Sequence, residues 1–274
     1  MTSKNDKIIK PELEPELDNP KKEKLTLLWI TDDPWQKTGY GMVTRNVLGR
    51  LKEEFNVIAF GTQFRGSEID YDGYKVVPNG NKSGDGFDMV EFYIKKYNPD
   101  VVITLKDVGL QLGYIAGINN ARSTGWKGVW YGYCPIDTNY IVPEWVGIWQ
   151  QMDGVIAMAE WGRIMIKQGT KDKIDPLCIP HGVDTKVFQP KREEQKKKLE
   201  DDGAPFAGMF VVGAVGRNQY RKMWDKLFKG FAEFSKDKND VVLLIHSDEK
   251  PAIVSDGWDF NYISKKYNMQ TKWM

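Results

Sequence analysis

Histidine and cysteine are almost missing from this sequence: among 274 residues only His181, His246, Cys134 and Cys178 occur. Spaced His and Cys build structural zinc sites, so no metal site is expected. Two cysteines cannot form a disulfide framework. Both lie among apolar neighbours and read as buried thiols of a reducing compartment. No apolar run approaches the ~20 residues that cross a bilayer, and no leader-like segment opens the chain. The expectation is a cytoplasmic protein with no transmembrane segment. An excess of one charge is missing too: 39 Lys+Arg against 38 Asp+Glu leave a net +1. That excludes a global field for nucleic acid. No Gly-x-Gly-x-x-Gly follows a strand and no P-loop is present, which argues against a dehydrogenase or a P-loop enzyme.

What the chain does have is a core. A hydrophobic share of 41% beside 28% charged residues is that of a globular protein of one large or two ordinary domains. Residues 1–24 mix Lys, Glu, Asp and Pro with few large apolar side chains, and read as a mobile tail. Strands are expected at 25–31, 56–60, 74–77, 100–105, 128–133, 154–159 and 175–180. Helices are expected at 42–53, 87–97, 108–122, 143–151 and 160–168, with a glycine-rich loop at 78–86. Alternation of this kind predicts a mostly parallel sheet with helices on both faces. Residues 191–202 are charged at nearly every position and end in Asp-Asp-Gly, as a solvated helical linker does. The pattern then restarts: a strand at 209–215, a helix to about 234, a strand at 241–246 and a weaker helix at 258–267.

The most informative stretch is Val212-Gly213-Ala214-Val215-Gly216-Arg217-Asn218-Gln219-Tyr220-Arg221-Lys222. The apolar run reads as a buried parallel strand, and Gly216 permits a turn or a close ligand. Arg217, Arg221 and Lys222 follow. Met223, Leu227, Phe228, Phe231 and Phe234 then recur at helical spacing. Cations ahead of a helix N-terminus oppose its dipole, so either an anion such as a diphosphate belongs there or this is a solvated basic turn. Near the other end of the chain, Gly39-Tyr40-Gly41 lies between a strand and a helix, as a ligand-approaching glycine loop or a flexible turn. Asp137, in Cys134-Pro135-Ile136-Asp137-Thr138, lies just past a strand, as a reacting group or a turn former. Lys106 and Asp107 end another strand.

Several stretches together resemble one family. Ile179-Pro180-His181-Gly182-Val183-Asp184, with Phe188 and Pro190, is similar to the interdomain signature of glycosyltransferase family 4, of the GT-B fold. The segment from Gly216 to Lys222 resembles that family's donor-phosphate loop. Tyr133 to Asp137, with Pro143 and Trp145, resembles the segment after its central strand. Thr38-Gly39-Tyr40-Gly41 resembles its first glycine loop. The resemblance runs in order over residues 25–267. It implies two facing Rossmann-like domains holding a nucleotide-sugar such as a UDP- or GDP-sugar. It further implies sugar transfer to an acceptor with retention at the anomeric carbon, without metal or other cofactor.

On that resemblance Arg217 and Lys222, with Arg221 and Gly216, would hold the donor phosphates. Asp137 would be the catalytic-side carboxylate, and Gly39, Tyr40 and Gly41 would approach donor or acceptor. Lys106 and Asp107 would contact the acceptor. His181, Gly182 and Asp184 would shape the interdomain loop, His181 through a structural hydrogen bond and Asp184 by stabilising its turn. The expected organisation is a Rossmann-like domain at 25–190, a linker at 191–204 and the first part of a second such domain at 205–274. The chain departs from the family in lacking its paired glutamates, since none follows Glu249. The expectation is a chain cut short in its second domain: a fragment, half of a split enzyme, or a short non-catalytic relative acting as a binding or assembly subunit. A homo-oligomer or a second chain would then cover the incomplete domain.

Overall fold

The computed structural model describes residues 24–80, 84–251, 256–269 and 273–274. The tail expected at 1–24 therefore lies outside the described residues except for Lys24. The rest forms two compact units that divide between Gly182 and Val183.

The first unit is built on an eight-stranded sheet. Its strands are β1 (Thr26–Thr31), β2 (Asn56–Gly61), β3 (Ile69–Tyr71), β4 (Tyr74–Pro78), β5 (Val101–Leu105), β6 (Val129–Cys134), β7 (Gly154–Ala157) and β8 (Leu177–Cys178). The helices are α1 (Gly39–Leu51), α2 (Val90–Tyr97), α3 (Val108–Gln111), α4 (Ile115–Ser123), α5 (Pro143–Trp149) and α6 (Glu160–Gly169). Strand order is β3-β4-β2-β1-β5-β6-β7-β8, parallel except for the β3–β4 pair. The chain winds outward from β1 through β2, then returns to β5 on the other side of β1. The β1/β5 boundary is thus a topological switch point, where open α/β sheets bind ligands at their carboxyl ends.

Both faces of β1 are buried, which is why Thr-Leu-Leu-Trp-Ile-Thr reads as a nearly continuous apolar run. Leu28 and Ile30 face a core shared with Val90, Tyr93 and Ile94 of α2 and Ile118 of α4. Leu27 and Trp29 face the opposite core, with Leu48 of α1.

Three local findings differ from expectation. Strand β3 was not anticipated; it pairs back on β4 through Asp72-Gly73, at φ 48° and 81°, the left-handed pair a tight hairpin demands. Helix α1 begins at Gly39, not at Met42, because the Thr38 side chain accepts from Gly41 N and caps it. The expected glycine loop is therefore the first turn of a helix. Strand β8 keeps only two paired residues of the six expected.

Glu68, just ahead of β3, joins three elements. Its carboxylate lies 2.8 Å from Lys75 Nζ on β4 and 2.7 Å from Lys96 Nζ on α2, and accepts from Tyr97 Oη. Lys75, then Lys96 and Tyr97, pull its pKa down to about 2. A depressed carboxylate adds stability that is complete above its unfolded value of 4.5 and is lost as pH falls through about 2. Glu68→Gln should accordingly melt below the parent at pH 7, with the difference closing between pH 4.5 and pH 2. A gap that persists unchanged at pH 2 would reject this role.

The second unit contains α7 (Arg192–Asp201), β9 (Phe210–Val215), α8 (Trp224–Phe234), β10 (Val241–His246) and α9 (Phe260–Lys266). Every residue of α7 is exposed, as its charge pattern requires. Parallel strands β9 and β10 carry a core of Trp224, Phe228, Phe231, Leu243, Phe260 and Ile263. Here the buried strand expected at 209–215 is corrected. Phe210 is 60% and Val215 81% exposed, because β9 has β10 on one side and no other strand among the described residues. An apolar groove of about 460 Å³ opens between β9 and α8, lined by Phe210, Val212, Leu227 and Phe234. Among the described residues no helix is long and apolar enough to cross a membrane.

Candidate functional site

In the first unit the switch point gathers the ends of β1, β5 and β6. Lys106 follows β5 directly. Its ammonium is 3.1 Å from Asp32 Oδ1, 3.3 Å from Asp85 Oδ1 and 2.9 Å from Thr62 Oγ1, with the side chain only 4% exposed. All three protons are thereby used. Lys106 was expected to meet an acceptor; instead it ties together the segments after β1, β2 and β4. The tie continues outward: Thr38 Oγ1 donates to Asp32 Oδ2 at 2.7 Å while capping α1. Asp107, next in sequence, is exposed and accepts from Tyr40 Oη at 2.6 Å. Burial and this carboxylate drive the Tyr40 phenol far above its ordinary value, so it stays a neutral donor.

Asp137 stands in the loop after β6, exposed, with no side-chain hydrogen bond or ion pair among the described residues. The side-chain bond of that turn is made next door, where Tyr140 N donates to Thr138 Oγ1 at 3.1 Å. Gln111, fully buried, holds the ends of β5 and β6 together. Its Nε2 donates to Lys106 O at 2.8 Å and to Cys134 Sγ at 3.1 Å. Burial pushes the Cys134 thiol up to about 12, so it is not poised as a nucleophile. Cys178, expected buried, is only partly so, because it ends a two-residue edge strand.

Of the glycines, Gly41 is sterically required: a Cβ there would lie 2.5 Å from Gln36 O and 2.8 Å from Asp33 O. Gly39 and Gly182 face open space. Asp33 is a buried carboxyl that sequence reasoning passed over. Gln36 Nε2 donates to its Oδ2, its Oδ1 has no partner among the described residues, and desolvation raises its pKa.

His181 lacks the hydrogen bond expected of it among the described residues. The Tyr133 hydroxyl donates instead to Ile179 O, and the imidazole stands edge-on to the Tyr133 ring at 5.4 Å. The imidazole stays exposed, but partial desolvation lowers its pKa. In the second unit, Asp184 Oδ1 accepts from Lys186 N at 2.8 Å and so shapes its own turn.

The basic loop of the second unit is hydrogen-bonded along its backbone, while its charges are unpaired among the described residues. Gly216 N donates to His246 O at 3.2 Å, closing the end of β9 on β10. Trp224 Nε1 donates to Arg217 O at 3.0 Å, and Tyr220 N to Asp256 O at 2.8 Å. A 3-10 turn, Tyr220–Lys222, then leads through Met223, at φ 56°, into α8. Arg217, Arg221 and Lys222 are all exposed. None has a side-chain hydrogen bond or ion pair among the described residues. Asn218, to which sequence reasoning gave no role, is 5% exposed and joins this loop to the one after β10.

No family model matches the chain, and no curated protein does. Solved structures do share its fold. HepE from Anabaena in complex with UDP-glucose aligns with a TM-score of 0.63 at 12% identity, over 91% of this chain and 68% of that one. The E. coli trehalose-6-phosphate structure bound with UDP-2-fluoro glucose aligns at 0.60 and 11% identity, over 90% and 72%. A glycosyltransferase from Rickettsia africae aligns at 0.58 and 17% identity, over 92% and 67%. The class these likenesses define is one of fold: a mostly parallel α/β architecture of the GT-B kind.

Proposed function

We propose that this chain is a nucleotide-sugar-dependent glycosyltransferase that retains anomeric configuration and uses no metal. The observation that carries the reading is the cationic loop after β9. Three cations stand exposed, and unpaired among the described residues, on a backbone hydrogen-bonded at both ends, at the carboxyl edge of parallel strands. Such an arrangement suits a diphosphate. Transfer breaks the bond between the anomeric carbon and the leaving phosphate oxygen, and forms one to an acceptor hydroxyl, whose proton passes to the departing phosphate or to solvent. Negative charge grows on the departing diphosphate. Arg217 and Lys222 stabilise it, with Arg221 beside them, and preorganised donors of this kind contribute on the order of 3 kcal/mol each. In the first unit, Asp137 orients an acceptor or donor-sugar hydroxyl and Asp107 is a further acceptor contact. The fold supports the reading, since HepE and the E. coli structure were solved with UDP-sugars.

The test is a panel of UDP, GDP and ADP with their sugar conjugates, read first by thermal shift and then by release of nucleoside diphosphate. At least one diphosphate should raise the melting temperature, the rise growing with the logarithm of its concentration and corresponding to about 2.7 kcal/mol of stabilisation at a hundredfold excess over its Kd. Asp137→Asn should then abolish transfer while leaving diphosphate binding intact. No stabilisation by any member would refute the reading.

One observation favours a second reading, a non-catalytic binding or assembly subunit: among the described residues the exposed apolar strand β9 has one edge unpaired, of the kind that recruits another chain. On that reading light scattering shows an oligomer, and no sugar conjugate is turned over.

A further inference from the structure

We infer that Asn218 is a positioning residue, a latch that fixes the backbone carrying Arg217, Arg221 and Lys222 by bonding the basic loop to the segment after β10. The inference rests on the diphosphate reading given above. Asn218 lies between Arg217 and Arg221, yet its own side chain is turned inward. Nδ2 donates to Asp248 O at 3.0 Å and to Trp258 O at 2.6 Å, and Oδ1 accepts from Trp258 N at 2.9 Å. One carboxamide thus spans a chain separation of 40 residues.

The neighbours repeat the connection. Gln219 Nε2 reaches Asp256 Oδ2 at 3.3 Å, and the Tyr220 ring stands edge-on to Trp258 at 5.1 Å. Gly257 makes the fit possible, since a Cβ there would lie 2.5 Å from Asn218 O and 2.6 Å from Asn218 Oδ1.

The chemistry requires a carboxamide. The site presents the carbonyl oxygens of Asp248 and Trp258, with Glu249 O at the longer distance of 3.5 Å, and one N–H, so it needs two donor protons and one acceptor on a short side chain, which asparagine supplies. An aspartate carboxylate would meet the two carbonyls with no proton to give. Once protonated it could donate to one of them and still accept from Trp258 N. Exposed cations bind a diphosphate well only if their backbone is already in place, because otherwise ordering the loop offsets the gain. Asn218 therefore acts through Arg217 and Lys222 without touching the ligand.

The experiment titrates the whole chain with UDP, and in parallel with inorganic pyrophosphate, at pH 8 and pH 5.5. The proteins are the parent, Asn218→Ala, Asn218→Asp, Gly257→Ala and Arg217→Ala, with melting temperature followed alongside. Asn218→Asp should bind roughly tenfold more weakly than the parent at pH 8 and within about threefold of it at pH 5.5, as its proton restores a bond. Asn218→Ala should be roughly tenfold weaker at both values, and Gly257→Ala likewise, by displacing the latch. The pH recovery separates a latch from simple misfolding, because the same polypeptide regains affinity. If both Asn218 variants bind like the parent while Arg217→Ala fails, the latch is wrong and the diphosphate reading stands. An aspartate deficit equal at both pH values also overturns the latch. If the parent binds neither UDP nor pyrophosphate, both inferences fall together.

Discussion

Arg217→Ala should weaken binding of the preferred nucleoside diphosphate by about 10- to 100-fold, the loss of roughly 1.5–3 kcal/mol from a charge-assisted hydrogen-bond pair. The melting temperature of the ligand-free protein should hardly move. Arg217 spends no side-chain bond on the fold: its carbonyl accepts from Trp224 Nε1, but the guanidinium is exposed and unpaired among the described residues. Exposed side chains of that kind change stability by about 0.5 kcal/mol or less. Arg217→Lys should restore charge without the two-pronged geometry and recover only part of the affinity. Salt should weaken the parent's binding as well, since the three cations face solvent. Equal affinity of parent and Arg217→Ala for UDP, GDP and ADP would falsify the phosphate assignment. The binding loss is the informative part, because a cation of a merely solvated basic turn would change neither binding nor melting.

The sheet could be read from the sequence because its strands are buried on both faces. Leu27 to Ile30 and Val101 to Leu105 declare themselves by apolar density alone, and parallel order follows from the intervening helices. Strand β3 could not be read that way. Ile69-Asp70-Tyr71 is a partly exposed edge, and its one signal is the Asp72-Gly73 turn. The start of α1 was misplaced for a related reason: two glycines suggested a loop, while the deciding feature was Thr38 three residues ahead of Gly41 N. Residues 209–215 misled in the opposite direction. Apolar density predicts burial only when a partner lies on each side, and β9 has one strand neighbour among the described residues.

At the candidate sites, residue type was legible and engagement was not. Arg217, Arg221 and Lys222 were singled out as free cations and have no partners among the described residues. Lys106 looked the same in sequence, a charged residue at a strand end. Its three acceptors come from positions 32, 62 and 85, which only the fold brings together. Asn218 was passed over because an asparagine amid cations resembles any turn residue. Its partners at 248 and 258 are equally remote in sequence.

Lys106→Met is expected to be strongly destabilising to the first unit. It removes the one cation that pairs with Asp32 and Asp85 among the described residues, carboxylates 13% and 25% exposed. Leaving charge unpaired in a largely desolvated pocket costs about 3 kcal/mol or more, roughly 6–12 °C for a domain of this size. The damage should spread to α1, because Asp32 also accepts from the Thr38 hydroxyl that caps the helix. Adding Asp32→Asn and Asp85→Asn to Lys106→Met should recover a large part of the loss, since removing a buried ion cluster whole costs far less than removing one member. Urea unfolding of the parent, the single variant and the triple variant measures this directly, with an unchanged slope required for comparison. If Lys106 were instead an acceptor contact, Lys106→Met would leave ligand-free stability intact and the triple variant would gain nothing. The expected pattern makes Lys106 the fastener that sets Asp107 and Tyr40 in place at the end of β5, so its loss should also lower transfer without altering the affinity for UDP.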